Sequence, residues 1–174
     1  MRRPEQPRER IQLRCDTVDI SESLARIEAE HSVSHVLQVA CGELVELFDA
    51  RFASVSRVIG DLLVELSGYR RSGEPHPLEL FLVTDYPLTQ EVISAGEPRV
   101  VRRAEPGADP AEAALLARLG FDSLLMLPLR SHGQSWGLVE IYGDDNEFAD
   151  GEIETARAIV ERVGELVAVL EHRV

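Results

Sequence analysis

The spacing of apolar positions changes along the chain, and these changes predict its elements. From residue 19 to residue 48 the apolar residues recur every three or four positions, which is typical of amphipathic helix. Asp19 and Glu22 have the spacing of a capping box at the start of this stretch. One long helix, or two helices with a break near Ser32, fits the pattern equally well. A second helical stretch covers residues 150–173.

Between these helices the apolar period falls to two, which predicts strands. Phe52–Ile59 and Leu62–Tyr69 flank Gly60 and Asp61, a pair that favours a tight hairpin turn. The pattern predicts further strands at residues 78–83, 100–101, 123–129 and 136–142, and short helices at residues 88–95 and 110–119. This order indicates an α+β fold with an antiparallel sheet.

The last helix carries two apolar stripes. One stripe has alternating spacings of three and four, as in a coiled-coil seam, and Ile159 and Leu166 form the other. A helix needs only one stripe to pack on its own sheet, so the pattern predicts a homodimer. The alternative is that the first helix of the same chain covers the second stripe. The positions assigned to the dimer helix are Ile153, Ala156, Val160, Val163, Val167 and Leu170.

Charge and composition narrow the function. The 174 residues carry 18 basic and 31 acidic side chains, a net charge of −13, which argues against nucleic-acid binding. Residues 1–18 are rich in arginine and predict a disordered basic arm, which leaves residues 19–174 as a single domain. We find no membrane-spanning run, no signal peptide and no disulfide framework, and therefore expect a cytoplasmic protein.

Three segments resemble the GAF domain family. They are Tyr86–Val101, which contains Gly-Glu-Pro; Leu116–Leu129, which contains Gly-x-x-Ser-x-x-x-x-Pro-Leu; and Trp136–Tyr142, which contains Gly-x-Leu-x-x-x-Tyr. The resemblance extends back to about Val33 and is fairly specific for the fold, whereas function lies in the site that a fold carries. The family usually has Ser or Thr where this chain has Ala149, so Asp150 is expected to cap the last helix one residue later.

The resemblance implies a six-stranded antiparallel sheet. Helices from both termini would pack on one face, and short helices and loops would cover the other face around a small ligand. It also implies a non-catalytic sensory or regulatory domain of signal transduction, of bacterial type, that dimerises through its terminal helices. The expected partners are a small molecule and an output domain or partner protein. Two alternatives stay open: a redox enzyme of the free methionine sulfoxide reductase type, and a protein-interaction domain without a ligand.

Specific chemistries of the family find little support in the residues. Cyclic-nucleotide-binding relatives use a lysine, and this chain has none. Bilin-binding relatives attach the pigment through a cysteine late in the domain, and none follows Cys41. Cys15 and Cys41 are the only thiols for a reductase. The cofactor is therefore unknown.

Metal binding is not expected. His31 and His35 share a helical face but lack a third ligand, and residues 144–147 lack the calcium-loop pattern. What remains is a mostly apolar pocket with a few orienting polar groups. The candidate pocket residues, placed by the family's sheet edges and covering loops, are Tyr69, Phe81, Thr84, Tyr86, Arg102, Met126 and Glu140.

Overall fold

The computed structural model describes residues 19–144 and 147–172. The arm predicted for residues 1–18 lies outside the described residues. No helix in these two ranges is long and apolar enough to cross a membrane. The helices are α1 (Ser21–Glu28), α2 (Val33–Leu47), α3 (Pro87–Ala95), α4 (Pro110–Leu119) and α5 (Asp150–Glu171), with a 3-10 turn at Val83–Asp85. The strands are β1 (Phe52–Ile59), β2 (Leu62–Arg70), β3 (Leu80–Leu82), β4 (Arg99–Arg102), β5 (Ser123–Ser131) and β6 (Gln134–Gly143).

All six strands form one antiparallel sheet in the order β3-β2-β1-β6-β5-β4, which confirms the predicted α+β fold. Side chains alternate between its two faces. On one face, here called the helix face, α1, α2 and α5 enclose the larger apolar core. On the other, here called the pocket face, α3 and α4 cover a smaller core. The two terminal helical stretches therefore share one face, as the resemblance implied.

Tight turns set the register of the two long hairpins. Gly60 joins β1 to β2 with φ of 63°, as the Gly-Asp pair predicted. His132 and Gly133 join β5 to β6 with φ of 51° and 72°, the backbone of a type I′ turn. The β1–β2 ladder shifts between Val55 and Ser56, which indicates a bulge.

The first helical stretch is two helices. Ser32 caps α2, and its hydroxyl oxygen accepts the His35 amide at 3.2 Å. The capping box predicted at Asp19 is wrong: the Asp19 carboxylate accepts the Ser21 amide at 3.0 Å, and Glu22 pairs with Arg26 one turn later. Asp19 lies one residue too early, because Ile20 occupies the N-cap position.

The last helix starts at the predicted place with a different cap. Ala149, not Asp150, is the N-cap, and the Glu152 carboxylate accepts the Ala149 amide at 2.9 Å. Asp150 is already the first helical residue, so its side chain lies in the first turn. Farther along, Gly164 allows α5 to approach β5 closely, since a Cβ there would lie 2.1 Å from the Arg130 carbonyl oxygen.

Candidate functional site

The pocket face has a carboxyl group at its centre. On β6, Glu140 pairs with Ser54 of β1 on one side and Met126 of β5 on the other. The strict alternation of β6 puts Val139 and Ile141 on the helix face and Glu140 on the pocket face. Only 5 % of Glu140 is exposed, so this carboxyl group lies inside the protein.

Two hydroxyl groups hold Glu140. The Tyr142 hydroxyl donates to Oε1 at 3.0 Å, and the Ser54 hydroxyl donates to Oε2 at 3.5 Å. Burial raises the pKa of Glu140 to about 8, and repulsion from Glu112 acts in the same direction. Burial also raises the pKa of Tyr142 well above its ordinary value. Near neutral pH, Glu140 is therefore mostly protonated.

A second carboxyl group comes from the covering helix α4. Asp109 caps α4 by accepting the Ala111 and Glu112 amides at 3.0 Å each, and this fixes the first turn. Glu112 is fully buried and accepts a hydrogen bond at Oε1 from the Thr89 hydroxyl of α3 at 2.5 Å. Its Oε2 has no hydrogen-bond partner among the described residues. Burial raises the pKa of Glu112.

A third carboxyl group, Glu65, lies on β2 and is 5 % exposed. Arginine only donates, so Arg70 donates to His76 Nδ1 at 3.2 Å, and His76 Nε2 carries the hydrogen donated to Glu65 Oε2 at 3.1 Å. Glu65 Oε1 has no partner among the described residues and points over Gly68, 2.8 Å from where a Cβ would lie. Burial is the main cause that raises the pKa of Glu65.

Aromatic rings pack beside these carboxyl groups. Phe52 stacks with Phe121 at 6.2 Å and with Tyr142 at 5.5 Å between ring centroids. The Arg51 and Arg70 guanidinium groups lie 5.2 Å and 5.6 Å from the Phe121 ring centroid. At the edge of the pocket face, the Phe121 ring therefore makes cation–π contacts with two arginine side chains of the chain itself.

A small cavity lies between Glu140 and the outer wall. Phe81 of β3 and Tyr86 form this wall with rings in edge contact, 5.8 Å between centroids. The cavity holds about 10 Å³, roughly the room of one water molecule. Small-molecule pockets usually hold about 300 Å³ or more, so a ligand would have to displace part of the wall.

A family model described as the GAF domain matches residues 32–167. The chain belongs to the GAF domain family. No curated protein matches the chain significantly.

Solved structures with the same fold include bacteriophytochromes. The bacteriophytochrome RpBphP3 of the photosynthetic bacterium R. palustris superposes with a TM-score of 0.77 at 13 % identity, over 88 % of this chain and 37 % of that one. Its chromophore-binding domain gives 0.78 at 14 % identity, over 89 % and 62 %. A far-red absorbing protein in its dark state with bound biliverdin IXa gives 0.75 at 12 %, over 87 % and 98 %. The chain thus spans about a third of the R. palustris photoreceptor and under two thirds of its chromophore-binding domain.

The GAF domain brings four of the seven predicted pocket residues to the pocket face. Phe81, Tyr86 and Glu140 line the cavity, and the Met126 sulfur contacts the Thr89 hydroxyl at 3.4 Å. The other three lie elsewhere. Tyr69 pairs with Ala53 and so points to the helix face, Thr84 donates to Asp61 at the surface, and Arg102 donates to the Glu147 carbonyl.

Sequence reasoning missed Glu65 and Glu112. Glu65 shares the face of Leu63, two residues before it on β2, so the period of two contained a signal that this carboxyl group points inward. Glu112 gave no such signal, because an acidic residue in the first turn of a helix usually stabilises the helix dipole at the surface. Only the tertiary fold brings α4 over the sheet.

The positions of the cysteines and of the possible metal ligands bear on the alternative functions. Cys41 is buried on the helix face, behind the sheet from the acidic residues, and burial raises the pKa of its thiol to about 12. Cys15 lies outside the described residues. Within residues 19–144 and 147–172, no three His, Cys, Asp or Glu side chains are placed to hold a metal ion.

The proposed dimer helix is largely occupied within the chain. Of its six assigned positions, Ala156, Val160, Val163 and Val167 are buried in the core of the helix face, where α2 and β5 contact α5. Ile153 and Leu170 pack against the same core. The side of α5 left exposed carries Glu154, Ala158, Glu161, Glu165 and Val169.

Proposed function

We propose that this GAF domain is a sensory or regulatory module of signal transduction that binds a small molecule on the pocket face. The observation that carries this proposal is the buried set of Glu65, Glu112 and Glu140, here called the acidic cluster. Two of its carboxyl oxygens, on Glu65 and Glu112, lack hydrogen-bond partners among the described residues. A buried polar atom without a partner costs about 1–3 kcal/mol, so a fold that keeps two of them favours an occupant.

The proposal includes signal output through the terminal helices. They pack on the face opposite the acidic cluster, with the sheet between them, so a change of shape on one face has a direct path to the other. A homodimer would bring two copies of α5 together through the side that stays exposed. A partner protein or an output domain would use the same surface.

A redox enzyme on this fold finds less support. The nucleophile of such an enzyme is a thiolate, and a thiol with a pKa of about 12 is protonated at physiological pH. Cys41 also lies on the helix face, away from the cavity. We therefore propose a non-catalytic role.

A light-sensing role would need a large pigment. The chain offers no cysteine after Cys41 for covalent attachment, and Phe52, Phe121 and Tyr142 fill the pocket face. We therefore do not extend the biliverdin of the structural neighbour to this GAF domain.

Native mass spectrometry of the purified protein tests the proposal. A protein that retains a small molecule in a fixed ratio, or takes one up from a cell extract, supports a sensor. A dimer without added mass after exposure to the extract favours an interaction domain, the second candidate, which the 10 Å³ cavity favours. A bare monomer that captures nothing contradicts both sensing and dimerisation.

A further inference from the structure

We propose that the acidic cluster binds a small organic cation with a planar amidinium or guanidinium head. This inference rests on the proposed function, because it names the ligand class for the same pocket face. It goes further by specifying the charge, shape and hydrogen-bond donors of the ligand.

The cluster has an excess of acceptors. Thr89, Tyr142, Ser54 and His76 each donate one hydrogen bond to a carboxyl group, and the Glu79 amide donates a second one to Glu65 Oε2 at 3.4 Å. Oε1 of Glu65 and Oε2 of Glu112 have no donor among the described residues, although both side chains are at least nine-tenths buried. The ligand therefore has to supply N–H or O–H groups.

The acidic side chains of the cluster indicate that the ligand carries a positive charge. No described arginine forms an ion pair with Glu112 or Glu140, and Arg70 donates to His76 instead of a carboxylate. Within the cluster, both Glu112 and Glu65 repel the ionised form of Glu140. Without a ligand, burial raises the pKa of all three carboxyl groups, which favours their bound protons. A cation replaces those protons and pairs with the ionised carboxylates.

The spacing of the cluster selects a polyatomic cation. Among the described residues no three acidic or histidine side chains converge closely enough to hold one metal ion. A planar head with several N–H donors can reach more than one carboxyl group, and its fork matches two carboxylate oxygens at once.

The edge strand provides an entrance. β3 is three residues long and pairs only with β2, and its Phe81 closes the cavity together with Tyr86. A short edge strand opens at lower free energy than the central strands. We expect the ligand to enter by displacing this wall.

Isothermal titration calorimetry with two matched pairs of probes tests the inference. Acetamidinium and benzamidinium carry the planar cation, and acetamide and benzamide are their neutral counterparts of nearly the same shape. We expect the cations to bind, the amides to bind at least about tenfold more weakly, and cation binding to release protons. Titrations in two buffers with different heats of ionisation count those protons.

Variants tie the binding to the cluster. Glu140→Gln, and independently Glu112→Gln in case the first variant fails to fold, are expected to weaken cation binding by about tenfold or more and to reduce proton release. Glu22→Gln removes the same charge from the exposed side of α1, on the helix face and away from the proposed dimer surface, and is expected to bind as the wild type does.

Three results would overturn the ligand class. They are equal binding of amide and amidinium, cation binding that survives both cluster variants, and no binding of any probe. The first leaves the proposed sensor function intact, since a neutral molecule would then occupy the pocket face. If no probe binds but native mass spectrometry shows that the protein captures another molecule, the ligand class is wrong and the proposed sensor function still holds.

Discussion

At the scale of single residues, the buried carboxyl groups make the stability of this GAF domain depend on pH. The pKa of Glu140 rises from its ordinary 4.5 to about 8 in the fold. As pH rises, the unfolded chain loses this proton first, so the folded state loses stability from about pH 4.5 to about pH 8. Glu65 and Glu112 add to the loss with the same sign, because their pKa values are also raised.

Glu140→Gln is therefore expected to flatten this dependence. The amide keeps the shape of the protonated carboxyl group and has no proton to lose. Urea unfolding at about pH 5 and about pH 8 measures the effect. Between these two pH values we expect the free energy of unfolding of the variant to increase relative to that of the wild type by a few kcal/mol, at about 1.4 kcal/mol per pH unit. Glu22→Gln, with its exposed side chain on α1, is the control and is expected to follow the wild type. If the free energy of unfolding changed equally with pH in Glu140→Gln and in the wild type, this would contradict the raised pKa of Glu140.

Cys41 is expected to be inert in the folded protein. Its burial and its raised pKa of about 12 deny reagents both access and thiolate. In a Cys15→Ser background, Ellman's reagent at about pH 8 is expected to titrate Cys41 only after unfolding in urea. Full reaction in the native state within minutes would instead reopen the thiol enzyme as a candidate.

The individual site residues were predictable only in part. Phe81 and Glu140 follow from strand period and from the resemblance, because alternation assigns each a face. Thr84 and Arg102 have polar partners, Asp61 and the Glu147 carbonyl, that no local pattern specifies. Glu112 enters the site because a helix from a separate segment is laid over the sheet. Such contacts depend on packing and not on neighbours in sequence.

At the scale of elements, α5 is tied to the sheet where two backbones meet. A Cβ on Gly164 would lie 2.1 Å from the Arg130 carbonyl oxygen, so Gly164→Ala is expected to destabilise the fold by about 1–3 kcal/mol as α5 is pushed away. A Cβ on Gly151 of the same helix would meet no other part of the fold within 4 Å. Gly151→Ala is expected to be neutral or stabilising by up to about 1 kcal/mol. Chemical denaturation of the two variants checks the opposite signs; equal effects would show that the close approach is unimportant.

Most elements were correctly predicted because their boundaries have local causes. Gly60 ends β1, Ser32 starts α2, and Gly96 and Gly120 end α3 and α4 in the left-handed conformation. The third strand is shorter than predicted: residues 78–83 are apolar except for Glu79, yet only Leu80–Leu82 form the strand that pairs with β2. Glu79 accepts one backbone hydrogen bond, from the Glu65 amide, and Val83 already begins the 3-10 turn, so the length of this strand is a property of the assembled sheet.

At the scale of the whole molecule, net charge opposes self-association. Each chain carries −13, and the exposed side of α5 presents Glu154, Glu161 and Glu165. If two copies meet through this side, salt screens their repulsion and the dimer fraction rises with ionic strength. Analytical ultracentrifugation from about 0.05 M to about 0.5 M sodium chloride measures this.

A charge variant localises the dimer surface. Combining Glu161→Gln with Glu165→Gln is expected to raise the dimer fraction at low salt and to weaken the salt effect. Glu91→Gln combined with Glu105→Gln removes two exposed charges away from α5 and is the control. Equal behaviour of the two double variants would place the interface elsewhere.

Strand β6 belongs to both cores at once. Glu140 faces the acidic cluster, while its neighbours Val139 and Ile141 pack in the core beneath α2 and α5. Successive strand residues lie about 3.3 Å apart and share a stiff peptide plane, so they move as one body. Because the core beneath α5 is closely packed, a movement of these side chains would be transmitted to the helix. If a ligand pulls on the Glu140 carboxyl group, we therefore expect β6 to shift Val139 and Ile141 and so to change the surface on which α5 packs.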